Sequence, residues 1–187
     1  MRAEKEHWRI RPLREEDAEL LLGWLTDPRL LEFYEGRDAA ATPEWIRRHF
    51  YEEEEPGLER NILEYQETPI GYMQCYPADP EEYGYEGDEE TVYAMDQWIT
   101  PEYWNQGHGR TLVGLALNTL VGERGAQVIL LDPHEDNPRA IRCYERCGFR
   151  KVKRLPAHEW HEGRYVDCLL MAYHPNLFSR EIDGWAS

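Results

Sequence analysis

The sequence predicts one mixed α/β sheet flanked by helices. Strand-like runs of period two alternate with helix-like runs along the 187 residues. The run Val128-Ile129-Leu130-Leu131 is short and wholly apolar, as expected of a strand covered on both faces. Neither an internal repeat nor a low-complexity linker interrupts the chain, so its length fits one domain over 1–187. A hydrophobic content of 41% with 12% aromatics supports a real core and excludes wholesale disorder.

Taken in order, Trp8 to Leu13 alternates weakly and reads as a first strand. Glu15-Glu16-Asp17 opens a helix to about Leu25, with carboxylates at its positive N-terminal end, and Thr26-Asp27-Pro28 breaks it. Thr42-Pro43-Glu44 places a cap before a proline at the first helical position, starting a second helix to about Tyr51. Asn61–Tyr65 and Ile70–Tyr76 read as a hairpin turned at Thr68-Pro69. Seven of the thirteen residues in 78–90 are acidic, with Tyr83, Gly84 and Tyr85 among them, which reads as a loop. Val92–Ile99 is the next strand, and Thr111–Glu123 carries Leu112, Leu115, Ala116 and Leu120 at helical spacing. After the strand at 128–131, Pro138 opens a helix to about Arg146 that ends at Gly148. Phe149–Leu155 and Arg164–Tyr173 close the sheet around a turn at Gly163, and the tail 175–187 is poorly patterned.

The formal charge is −16. That balance argues against nucleic-acid phosphates as a partner and suits a cationic small molecule; solubility alone is the bland alternative. Met1 to Arg14 lacks an apolar run of signal-peptide length, and no apolar run reaches a membrane span. Cys75, Cys143, Cys147 and Cys168 include no C-x-x-C pair, so a reduced, cytoplasmic protein with structural cysteines is expected. His158-Glu159-Trp160-His161 has histidines three apart, but the neighbouring Gly163 makes a hairpin tip the expected reading and no metal is predicted.

Two stretches carry chemistry. The first is a strand, then Asn105-Gln106-Gly107-His108-Gly109-Arg110, then a helix. Backbone N–H groups at a helix start, approached closely because glycine has no side chain, form an anion site suited to phosphate. Taken alone, these glycines read as an ordinary tight turn. The second stretch, Asn137 to Phe149, fits N-x-x-A-x-x-x-Y-x-x-x-G-F, with Ala140 and Tyr144 on one helix face. Alone it reads as an amphipathic helix with a buried tyrosine.

In this order, the two stretches resemble the GCN5-related N-acetyltransferase (GNAT) superfamily. Ile70-Gly71-Tyr72-Met73-Gln74-Cys75-Tyr76, Met95-Asp96-Gln97-Trp98-Ile99, and Asp132-Pro133 ahead of Asn137–Glu145 are similar to aminoglycoside 6′-N-acetyltransferases. Leu31–Gly36 matches more loosely, and Trp104 stands where the superfamily often has arginine or glutamine. The resemblance implies a mostly antiparallel sheet splayed at its centre and acetyl-CoA as cosubstrate. It implies coenzyme A contacts from Trp98, Ile99 and Thr100, from Gln106, Gly107, His108, Gly109 and Arg110, and from Asn137 and Ala140.

An amine at neutral pH is an ammonium and must lose a proton before it attacks a thioester. The resemblance gives that base role to Asp96 and the protonation of the leaving thiolate to Tyr144. A backbone N–H near Trp98 would stabilise the oxyanion. Tyr34, Glu35, Gln74, Tyr76, Glu86 and Asp132 are the candidate acceptor contacts, with Tyr34, Tyr83 and Tyr85 available to stack on sugar rings. The expected function is acetyl transfer to a primary amine of a cationic small molecule, an aminoglycoside 6′-amine first. Polyamine, lysine-type or protein amino groups are alternative acceptors, and a non-catalytic acetyl-CoA-binding module is the alternative of another class. A monomer or homodimer is expected.

Overall fold

The computed structural model describes residues 1–39, 41–53, 55–87 and 91–175. Asp88, Glu89 and Glu90 of the acidic stretch, and the tail beyond 175, lie outside them. Eight strands form one sheet: β1 (Ala3–Lys5), β2 (Trp8–Pro12), β3 (Glu59–Tyr65), β4 (Thr68–Pro77), β5 (Val92–Ile99), β6 (Val128–Leu131), β7 (Arg150–His161) and β8 (Arg164–Tyr173). Among the described residues the α-helices are α1 (Ala18–Trp24), α2 (Pro28–Leu31), α3 (Pro43–Arg47), α4 (His108–Arg124) and α5 (Pro138–Arg146). Strand order is β1-β2-β3-β4-β5-β6-β8-β7. Among the described residues, only β5 and β6 pair in parallel.

Period-two alternation sorts the core. Ile10, Leu63, Met73 and Met95 point to one face and meet Leu112, Ala116 and Leu120 of α4. Their neighbours Ile62 and Tyr72, with Trp98, point to the other face and meet Leu21, Leu25, Leu30, Ile46 and Phe50. Every residue of β6 is buried, which accounts for its unbroken apolar run. The loop after β4 lays Tyr83 and Tyr85 on the cluster of Val92, Val128, Leu130 and Leu170. Arg11 is buried at the sheet edge in a bidentate pair with Asp17, both contacts 2.7 Å, and donates to Glu64 at 2.7 Å.

The boundaries of β5, β6 and α5 agree with the sequence expectation, and α3 begins as expected, with Thr42 accepting from the Trp45 amide at 3.1 Å. Several details differ: β7 runs on to His161, past the expected end at Leu155, and the helix expected to reach Tyr51 is α-helical only to Arg47 and continues as a π-helical segment over Arg48–Glu52. The edge strand β1 and the single-turn helix α2 carry too few residues to show a period. Helix α4 starts at His108, three residues before its apolar pattern, because its first turn faces a cavity.

The sheet holds β5 against β4 and opens between β5 and β6. Gly71 lets β4 approach β5 closely: a Cβ there would lie 2.2 Å from the Trp98 carbonyl oxygen. On the other side β5 pairs β6 only from Val92 to Ala94, after which Met95 to Ile99 run on without β6. The two strands therefore part, as the splayed architecture requires.

Candidate active site

A cavity of about 860 Å³ fills the space where β5 and β6 diverge. That volume lies within the range of small-molecule sites. Asp96 is on the β5 face that looks towards α1–α3, opposite Gln74 of β4. Its Oδ2 accepts from Gln74 Nε2 at 2.9 Å and from the Tyr76 hydroxyl at 3.4 Å. Burial pushes the Asp96 carboxyl up to about 6; the Gln74 and Tyr76 hydrogen bonds oppose that shift, and the Asp132 and Glu159 charges reinforce it. Gln74 is held in turn by the Tyr72 hydroxyl at 2.9 Å, and Tyr76 meets the Tyr83 hydroxyl at 2.8 Å.

Two more predicted carboxylates reach the cavity. Asp132, just beyond β6, lies 3.0 Å from His158 Nε2, and that contact raises the imidazole pKa. Glu35 sits in a left-handed backbone conformation, φ 63°, and burial raises its carboxyl pKa. Tyr34 lines the same wall with its ring centroid 4.4 Å from that of Trp98.

The α4–α5 side has the opposite character. Gly107 adopts φ 87° and supplies no side-chain cap, so the first-turn amides of α4 face the opening. At Gly109 a Cβ would already lie 3.3 Å from Cys143 Sγ of α5. Arg110 joins Arg139, Arg142 and Arg146 of α5 along the cavity. The Arg139 guanidinium stacks 3.4 Å above the Trp104 ring, and Trp104 Nε1 donates to the Ile99 carbonyl at 2.6 Å. Asn137 caps α5 by accepting from the Ala140 amide at 3.1 Å. One turn further on, Tyr144 is 7% exposed at the cavity wall, and burial raises its hydroxyl pKa. His108 accepts from Trp8 Nε1 through Nδ1 at 3.0 Å, and burial lowers its pKa, so it lines the cavity as a neutral ring.

Most of the predicted site residues therefore converge, but four do not contribute as expected. Thr100 is spent on the β4–β5 ladder, its amide donating to Ile70 at 2.8 Å, and it lies off the cavity. Gln106 turns away to donate to the Glu102 carbonyl at 2.7 Å. Glu86 is exposed beyond the cavity, because the tyrosines of its loop, not its carboxylates, pack inward. Tyr85 packs towards His174 instead of the opening.

Trp98 also needs correction in detail. Its indole stacks on Tyr72 at 4.5 Å within the α1–α3 core. The bonds from the Thr100 amide to Ile70 and from the Ala78 amide to Val92 fix the ladder's phase. Even-numbered β5 amides, that of Trp98 included, consequently face β4. The amides of Gln97 and Ile99 face the parted side.

The sequence reading missed the arginines of α5, although their i, i+3, i+7 spacing puts them on one face. It also missed the Trp104–Arg139 stack, which joins segments 35 residues apart. The cavity thus changes sign across its width, from Glu35, Asp96 and Asp132 to the arginines of α4 and α5.

A family model described as an acetyltransferase (GNAT) domain matches residues 14–156. The chain is 29% identical over 148 residues to an aminoglycoside N(6′)-acetyltransferase type 1 from Klebsiella pneumoniae, covering 76% of this chain and 73% of that one. It is 35% identical over 69 residues to a spermidine N(1)-acetyltransferase from Vibrio cholerae, covering 37% and 40%. The solved structure of AAC(6′)-Ib with ribostamycin and coenzyme A superposes with a TM-score of 0.75 at 25% identity, covering 94% of this chain and 97% of that one.

Proposed function

Since this chain belongs to the GNAT family of acetyltransferases and is an N-acetyltransferase, we propose that it moves the acetyl group of acetyl-CoA to a primary amine of a polycationic small molecule, with an aminoglycoside 6′-amine as the leading acceptor. The single observation that carries this reading is the reversal of charge across one cavity, carboxylates facing arginines. An anionic diphosphate and a cationic amine then each have a complementary wall.

The residues fit acetyl-CoA. The open N-terminus of α4 and the arginines of α4 and α5 suit its phosphates. Gln97 Oε1, buried and without a hydrogen-bond partner, offers an acceptor to an amide N–H of the pantetheine arm. Bound acetyl-CoA supplies the thioester carbonyl on which the amine acts.

Asp132 and Glu35 hold the cationic acceptor, and Asp96 takes the proton of the reacting ammonium, directly or through water. A carboxyl raised to about 6 is ionised at neutral pH and a stronger base than an ordinary aspartate. As the C–N bond forms and the C–S bond breaks, the Gln97 or Ile99 amide meets the carbonyl oxygen. Tyr144, buried and therefore protonated, delivers a proton to the departing thiolate.

A polyamine acceptor is the second reading, favoured by the partial match to spermidine N(1)-acetyltransferase. A thiol-release assay with acetyl-CoA against aminoglycosides, spermidine, lysine and basic peptides tests both. Turnover confined to aminoglycosides bearing a free 6′-amine supports the first reading. Turnover on polyamines alone replaces it with the second, and turnover on peptides alone rejects both acceptors.

A further inference from the structure

Beside the acceptor wall, four side chains from distant parts of the chain meet: His134, Cys168, Glu159 and His161. Ligand atoms of His134, Glu159 and Cys168 all lie within 4.8 Å of one another. His134 Nε2 is 3.1 Å from Glu159 Oε2, and Cys168 Sγ is 4.0 Å from the same oxygen. Ligand atoms sharing a tetrahedral ion sit roughly 3.3–3.7 Å apart for bonds of about 2.0–2.3 Å. Movements of less than an ångström would close this set on a metal.

His161 supplies an independent observation. It is 5% exposed, and its Nε2 lies 3.0 Å from the Glu32 carbonyl oxygen. A carbonyl only accepts, so Nε2 carries the proton and Nδ1 keeps its lone pair. Nδ1 is buried without a hydrogen-bond partner, 4.0 Å from Glu159 Oε1, and the His161 ring lies edge-on to His134 at 4.6 Å. An imidazole whose remote N–H is anchored on a backbone carbonyl, with its other nitrogen bare, has the form of a metal ligand.

The backbone builds this arrangement. His134 and Cys168 are bridged across the sheet, which sets their side chains together. Between Leu155 and Glu159 the β7–β8 register shifts, with Ala157 at φ 48°. Such a bulge re-aims the side chains beyond it. We propose that His134, Cys168, Glu159 and His161 form a Zn²⁺ site that ties the β7–β8 hairpin to the segment after β6 and to the end of α2. A mixed nitrogen, sulfur and carboxylate set of four suits that ion. Because His134 and Glu159 also line the large cavity, the ion would fix one wall of it.

The test uses the full chain, stripped with a chelator and titrated with Co²⁺. One equivalent is expected to give tetrahedral d–d bands with a thiolate-to-cobalt charge-transfer band, and Zn²⁺ to bleach both. Cys168→Ser removes the charge-transfer band, whereas Cys143→Ser retains it. Glu159→Gln, whose side chain is 44% exposed and which need not disturb folding, weakens Zn²⁺ binding at least about tenfold, or about 1.4 kcal/mol. It correspondingly lowers the Zn²⁺-dependent rise in Tm. Binding without a sulfur band, a band that survives Cys168→Ser, or an unchanged Zn²⁺ affinity in Glu159→Gln would each overturn the proposal.

Discussion

Replacing Asp96 by Asn separates what its buried carboxylate costs the fold from what it does in catalysis. The folded carboxyl titrates at about 6 against an ordinary value of 3.8. Because its pKa is raised, the folded chain binds the proton more tightly than the unfolded chain does. Stability is therefore unaffected by this group below pH 3.8, falls as pH rises to 6, and stays lower above it. The difference corresponds to at most about 3 kcal/mol, at about 1.36 kcal/mol for each pH unit. Asn keeps the shape and still accepts from Gln74, but it carries no charge. Urea unfolding should show Asp96→Asn more stable than wild type by about 1–3 kcal/mol at pH 7.5 and equal to it near pH 3.5. The acetylation rate should fall at least about 100-fold. The wild-type kcat/KM profile should show an acidic limb near pH 6 that the variant lacks. Equal stability at pH 7.5 with an intact acidic limb would refute both the buried-charge cost and the base role.

Further outcomes follow from other contacts. Gly71→Ala should cost about 2–3 kcal/mol in urea unfolding, since its Cβ would meet the Trp98 carbonyl oxygen at 2.2 Å and force β4 from β5. Arg11→Met should cost about 3–5 kcal/mol by leaving Asp17 buried without its cation, while Glu64 keeps Arg9 at 2.6 Å. Burial alone would raise the Asp17 carboxyl, but the Arg11 hydrogen bonds hold it below the usual range. Wild type should thus lose stability as pH falls through that range, and Arg11→Met should lose less. Arg142→Ala should raise KM for acetyl-CoA about tenfold while leaving KM for the amine unchanged, measured by varying each substrate in turn.

The sequence by itself determined the elements whose residues repeat with a clear period. Asp96 and Tyr144 came from the family resemblance; the chain's own periodicity located β5, β6 and α5, the cap at Thr42 and the glycine turn into α4. Each of these rests on neighbours within one turn or one strand. The tertiary structure decided what depends on register and on the parting of β5 from β6. It turned Gln106 and Glu86 away from the cavity, assigned the inward amides to Gln97 and Ile99, and raised Asp96 by burying it near Asp132. It also drew His134 and Cys168 against Glu159 and His161, where His158–His161 alone had read as a hairpin tip. The physical reason is that burial and charge act through space. A carboxylate's environment is set by whichever strands lie beside it, and strand neighbours need not be neighbours in the chain.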